Sequence, residues 1–306
     1  MDKYCIPEFR GVGQLGKLQI AREEKYGVPG TEFRYFGKLT KYKAKASANY
    51  DALEPSCSRT RSKAYITARE YGFTATSKFT NEAVLTDDIN WVLRGCPFTS
   101  FVKASGSMGV DMPTRDEYHG LTGCVLGQMA IASPSIAAAL TFDMTVISQY
   151  LSVSPIRDGW SVLDEHFAPA PIPCEDGLPV TDGGNVLITI DGVEEEVPFK
   201  NWQVTVKNNS SGVPGYVGNV ALSAGAGNVL GIMDIEVNIE QTSQTNRWNL
   251  RKWMTKEPEK LVLPLNQNYS IVMTDLYFLD DTMTEFQAGG DFNESINLNA
   301  RTIEVL

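Results

Sequence analysis

Repeated alternation of apolar and polar residues is the feature that most limits what this chain can fold into. Leu140, Phe142, Met144 and Val146 alternate with Thr141, Asp143 and Thr145, and Trp202, Val204 and Val206 with Gln203, Thr205 and Lys207. Met233, Ile235, Val237 and Ile239 alternate with Asp234, Glu236, Asn238 and Glu240, and Ile296, Leu298 and Ala300 with Asn297, Asn299 and Arg301. Successive side chains of a strand point to opposite faces. A period of two therefore predicts strands with one buried and one wet face, as in antiparallel sheets. Phe33, Tyr35 and Leu39, then Phe73, Ala75 and Phe79, add two more strands. A doubly wound parallel sheet needs continuous apolar runs between long helices, a pattern this sequence does not show.

Turn chemistry agrees. Asp191-Gly192, between segments 186–190 and 193–199, predicts a two-residue hairpin turn. Segment 208–215, rich in Asn, Ser, Gly and Pro, is expected to be a longer turn, and Gly225-Ala226-Gly227 a bend between strands. One helix stands out at 86–94. Thr86 can cap it, Asp87 and Asp88 suit its positive end, Ile89, Val92 and Leu93 form a stripe, and Gly95 can end it. A shorter candidate covers 246–254, ahead of Pro258. The expectation is a mostly β chain of two packed antiparallel sheets, a β-sandwich or partly closed barrel, with one short flanking helix. It is read as a single domain over 1–306 with an N-terminal arm at 1–30, a long basic insertion at 41–70 and a Pro-rich acidic loop at 158–185.

Of the 306 residues, 42% are apolar and 21% charged, which suits a packed core and argues against wholesale disorder. The net charge of −10 argues against a sequence-reading nucleic-acid binder. No apolar run approaches the roughly 20 residues a membrane helix needs, and no basic flank precedes an apolar run at the N-terminus, so synthesis in the cytoplasm is expected. Cys5, Cys57, Cys96, Cys124 and Cys174 are odd in number and too widely spaced for a CxxC knuckle, which predicts reduced thiols. The charge is unevenly placed. From Lys38 to Lys78 there are nine basic and three acidic residues, and from Asp158 to Glu196 ten acidic residues and no Lys or Arg.

Catalytic constellations are hard to build from this chain. His119 and His166 belong to no metal-ligand motif, and each reads as a loop or packing histidine. Asp164-Glu165 and Glu194-Glu195-Glu196 are adjacent runs. Adjacent strand residues face opposite ways, so these predict a solvated surface rather than a paired-carboxylate site. Gly11-Val12-Gly13-Gln14-Leu15-Gly16 matches GxGxxG but lacks the βαβ context of a dinucleotide loop. Gly106-Ser107-Met108-Gly109 is not a nucleophile elbow. The expectation is no catalytic residue, no cofactor and no metal.

Several segments gain meaning when read together. Glu23-Glu24-Lys25-Tyr26-Gly27-Val28-Pro29-Gly30-Thr31 precedes the strand at 33–40. A long polar insertion, a returning strand at 71–79 and the helix at 86–94 follow, and Gly120-Leu121-Thr122-Gly123-Cys124 leads into paired strands. This order resembles the tail tube proteins of long-tailed bacterial and archaeal viruses. That family has a "Glu-x-x-Tyr-Gly-x-Pro" lead-in before its first core strand, a long loop or hairpin next, and a "Leu-x-Gly-Cys" strand start in mid-chain. The resemblance covers roughly residues 15–306. It implies two packed antiparallel sheets with a flanking helix, and a virion protein of the tail. It further implies six copies per ring, rings stacked head to tail around a channel for DNA, contacts with other tail proteins, and no catalytic residue or cofactor.

The two charge blocks suit such stacking, which joins unlike surfaces of successive copies. The basic insertion, with Lys41, Lys43, Lys45, Arg59, Arg61, Lys63 and Arg69, is expected to meet the acidic region of an adjacent ring. Asp164, Glu165, Glu194, Glu195 and Glu196 are the acids in question. As a hairpin each arm would reach about 45 Å at roughly 3.3 Å per residue. Alternatively the insertion is a solvated surface loop. The outward acids Asp143, Asp234, Glu236 and Glu240 are candidates for lining the channel, where they would repel DNA and let it slide, or for facing outside solvent. The N-terminal arm and the strand at 295–305 are further candidates for contacts between copies. Two other classes compete: a β-sandwich module binding carbohydrate or a host surface through Trp160, Trp202, Trp248 or Trp253, and a carboxylate-based hydrolase.

Overall fold

A computed structural model describes residues 14–53, 63–78, 86–106, 115–135, 138–154, 185–197, 199–242, 257–265, 269–279, 284–285 and 293–306. In chain order the elements are β1 (Gln14–Arg22), β2 (Arg34–Leu53), β3 (Lys63–Lys78), α1 (Thr86–Leu93), β4 (Phe98–Gly106), β5 (Arg115–Ser133), β6 (Thr141–Ser148), β7 (Tyr150–Ser154) and β8 (Val186–Ile190). They continue with β9 (Val193–Val197), β10 (Asn201–Lys207), β11 (Ser211–Val217), β12 (Val220–Val229), β13 (Asp234–Thr242), β14 (Lys260–Pro264), β15 (Ser270–Phe278), β16 (Thr284–Glu285) and β17 (Asn293–Val305). The chain is mostly β with one short helix among the described residues, as its alternation predicts.

Six strands close on themselves. β1 pairs with β2 and β4, β2 with β3, β3 with β6, β6 with β5, and β5 with β4, all antiparallel. The barrel is thus fully closed, which removes open edges from that part of the molecule. β5 is long enough to serve two structures. Its first half lies between β4 and β7, its second half between β6 and β10. From β10 the ladder runs on through β13, β17, β15, β14, β8 and β9. The inward side chains form one continuous core, from Leu18, Phe36 and Phe142 to Trp202, Val237, Leu298 and Leu261.

Helix α1 buries its Ile89, Val92 and Leu93 stripe in this core. Its end follows from Gly95, whose φ of 71° is left-handed. Cys96 N–H donates to Trp91 C=O and Gly95 N–H to Val92 C=O, the paired bonds of a Schellman ending. Asn90 reaches across to β17: its Nδ2 donates to Val305 O and its Oδ1 accepts from Val305 N, both at 2.8 Å.

Several expectations need correcting. Residues 14–22 of the expected N-terminal arm form barrel strand β1, with Leu18 and Ile20 buried. The strand at 295–305 belongs to β17 and lies between β13 and β15. The described part of the insertion at 41–70 takes the hairpin form rather than that of a loop: β2 and β3 continue as one antiparallel hairpin as far as Leu53 opposite Lys63. The turn at 208–215 is shorter, because β11 begins at Ser211, and 225–227 lies inside β12. The Asp191-Gly192 turn is as expected, both residues having positive φ. The helix candidate at 246–254, with Trp248 and Trp253, lies outside the described residues, as do Trp160 and 158–184 of the Pro-rich loop.

Candidate functional site

The four acids proposed for a channel share one face. The inward residues of β6, β5, β10 and β13 are core, so their outward residues lie side by side in register. One cross-strand row reads Lys41, Thr76, Asp143, Ala130, Thr205, Glu236 and Asn299. The next reads Lys43, Thr74, Thr145, Gln128, Lys207 and Asp234. The face thus spans seven strands and is built almost wholly of hydroxyls, amides, carboxylates, lysines and one alanine. Its acids are held by neighbours. Thr76 Oγ1 donates to Asp143, Asn209 Nδ2 donates to Asp234 at 2.9 Å, Asn201 Nδ2 donates to Glu240 at 2.7 Å, and Lys207 pairs with Glu236 at 2.7 Å. Asn238 donates to Asn297 and Ser295 beside them.

The interface candidates are brought together only in part. Lys41, Lys43 and Lys45 stand exposed in alternate positions of β2, opposite the half-buried Tyr42 and Ala44. Lys45 is paired with Glu70 of the same hairpin at 2.8 Å. Lys63 opens β3 opposite Leu53, and Arg69 is half-buried with its carbonyl accepting from Ser223 Oγ. On β9, Glu194 and Glu196 are exposed and Glu195 half-buried; among the described residues this strand pairs only with β8. Arg59, Arg61, Asp164 and Glu165 lie outside the described residues. His119 packs against Tyr42, its Nδ1 3.3 Å from the Tyr42 hydroxyl; His166 lies outside the described residues.

The two motifs that carry the family resemblance meet at one buried carboxylate. Glu23 is 1% exposed. Its Oε1 accepts from Gly123 N–H and Thr99 Oγ1, and its Oε2 accepts from Gly27 N–H, each at 2.8 Å. Gly123 has a φ of 59°, and a Cβ there would lie 2.7 Å from Gln149 Cβ and 2.9 Å from the Tyr26 ring, so only glycine fits. Burial raises the Glu23 carboxyl above the ordinary glutamate range, against the three hydrogen bonds that lower it. Burial likewise pushes up the Cys124 thiol and the Tyr26 phenol. Tyr26 therefore keeps its proton and donates it to Ala224 O at 2.8 Å, fastening the β11–β12 hairpin.

The carboxylate of this cluster is taken up by two backbone N–H groups and the Thr99 hydroxyl, which tie the loop after β1 to β4 and β5. Among the described residues no three His, Cys, Asp or Glu side chains gather as a metal site. Sequence reasoning missed two features here. The Glu23 cradle had a signal in the glycines at 27 and 123. The β11–β12 hairpin had one in the lack of any charge from Asn208 to Met233. Compared with known proteins, the chain matches no family model and no curated protein.

Proposed function

We propose that this chain is a self-assembling structural subunit of a viral tail tube. Its copies form hexameric rings, the rings stack head to tail, and DNA passes along the channel. The observation that carries the reading is the continuous polar face on which Asp143, Asp234, Glu236 and Glu240 stand together. Double-stranded DNA carries about one negative charge per 1.7 Å of axis. From β6 to β13 that face carries Asp143, Asp234, Glu236 and Glu240 against one lysine, Lys207, which is paired with Glu236, while Lys41 and Lys43 stand at its β2 edge. β2 supplies an exposed row of lysines at 41, 43 and 45, and the outer strand β9 an exposed pair of glutamates; unlike surfaces of this kind suit ring-on-ring contact.

A second reading, a carbohydrate-binding module, rests on one groove of the same face. Gln203, Thr205, Glu236, Asn238, Asn297 and Leu279 line it. Tyr277, 49% exposed, stands nearby with its hydroxyl accepting from Asn299. Electron microscopy of the purified, concentrated protein separates the two. Hollow cylinders of stacked six-fold rings are the expected outcome. A monomer at every concentration and salt, retained on a glycan array, would overturn the tube reading in favour of the module.

A further inference from the structure

Two strand edges of opposite charge stand open among the described residues. β2 pairs with β1 as far as Lys38, and beyond that point with β3 alone. Its other edge is therefore unpaired over 41–45. Lys41, Lys43 and Lys45 are exposed there on one face, and Tyr42 and Ala44 are half-buried on the other. β9 ends the second ladder and pairs with β8 alone. Glu194 and Glu196 are exposed on one of its faces, while Val193, Glu195 and Val197 lie on the other, opposite the buried Ile190, Ile188 and Val186. Both edges alternate with a period of two over the same length, about 16 Å at roughly 3.3 Å per residue.

An open edge is a template for any strand that reaches it, and the charge it carries decides which strands can. Two β2 edges would set lysine against lysine, and two β9 edges glutamate against glutamate. Like charges directly opposite each other destabilise a strand pair, and opposite charges stabilise it. Each edge thus repels its own kind and accepts the other. Most of these charges are also uncommitted. Lys45 is paired with Glu70 at 2.8 Å, but Lys41, Lys43, Glu194 and Glu196 have no ion-pair partner among the described residues. Within one chain β2 and β9 are not neighbours, which leaves their pairing to two copies. Antiparallel addition then has one register that uses the uncommitted charges, with Lys41 opposite Glu196 and Lys43 opposite Glu194. On the other face it brings Val193, 58% exposed in the single chain, beside Ala44, and Glu195 beside Tyr42 and its neighbour His119.

We infer that β9 of one copy adds to the open edge of β2 in the next, antiparallel and in that register. Main-chain hydrogen bonds hold the added strand, and the charges select the partner and the register. The contact joins two unlike edges and so carries on from copy to copy. It rests on the self-assembly reading above and names the strands that meet. The test uses the full chain. Lys41→Glu with Lys43→Glu, both at exposed positions, is expected to raise the concentration needed for assembly at least about tenfold, with the thermal melt unchanged. The register is read by cysteine pairs in mixtures of two tagged forms. Lys43→Cys on one and Glu194→Cys on the other are expected to form a disulfide between copies under mild oxidation, because directly opposite residues have Cβ atoms about 5 Å apart. Val193→Cys in place of Glu194→Cys points to the other face and is expected to give at least about tenfold less. This comparison decides the matter if the charge-reversed chain fails to fold. Reversed chains that assemble like the wild type, or tubes in which the two cysteine pairs link equally, overturn the edge pairing while leaving the tube reading intact. A wild type that never assembles overturns both.

Discussion

At the residue scale the most consequential group is Glu23. It ties the lead-in loop to the start of β4 and the middle of β5 through Gly27, Thr99 and Gly123. Glu23→Ala would leave the buried Gly123 N–H, the half-buried Gly27 N–H and the Thr99 hydroxyl without this acceptor, and is expected to cost about 2–4 kcal/mol in chemical denaturation. The pH dependence has a definite sign. Because its native carboxyl titrates above the ordinary value, the folded state holds the proton more tightly than the unfolded chain. Its contribution is complete below the unfolded value and is lost as pH rises through the folded one. The wild type's advantage over Glu23→Gln should therefore shrink as pH rises above the ordinary glutamate range. A constant difference over that rise would show that burial does not raise this carboxyl.

Among elements, α1 shows how a local ending is linked to a distant part. Gly95 takes a left-handed φ, and a Cβ on it would lie 2.8 Å from Leu230 Cδ2 at the root of the exposed hairpin. Gly95→Ala is expected to lower stability by about 1–2 kcal/mol. It should also speed amide exchange around Leu230, measured by mass spectrometry; loss of stability without that local change would mean the two elements are not packed together. The elements that were legible in sequence are those with strict alternation of large side chains: β6, β10, β13 and the inner part of β17. The distal half of β2 was not, because Ala44, Ala46 and Ala48 alternate with polar residues without the bulk that marks a core strand. β11 and β12 were hidden for a related reason. Their glycines pack backbone on backbone, and a Cβ on Gly225 would lie 2.5 Å from Gly215 O, so the contact leaves no hydrophobic trace.

For the whole molecule, the alternation announced a mostly β body and one core, while closure of the barrel was invisible. Closure depends on β1 pairing with both β2 and β4, and register between distant strands is not written in any local window. The face holding Asp143, Asp234, Glu236 and Glu240 was legible strand by strand but not as one surface, since β5 alone brings β6 beside β10. If the lysine-rich hairpin of one ring meets acids of the next, reversing Arg59, Arg61 and Lys63 to Glu should slow tube growth in light scattering. Adding Glu194→Lys and Glu196→Lys to the same chain should restore part of it. High salt, which screens exposed charges beyond about 3 Å at 1 M, should weaken wild-type growth in the same assay. Growth indifferent to both the reversals and the salt would remove charge pairing from the account of stacking.

The position of β17 has a consequence for how this protein is made. It is the last strand in chain order, yet it sits between β13 and β15, and Asn90 holds its final residue from the far side of the sequence. During synthesis its two neighbours emerge from the ribosome with a gap between them. Translation must pass residue 305 before that gap can be filled, so the ladder between β13 and β15 closes only after both neighbours have emerged.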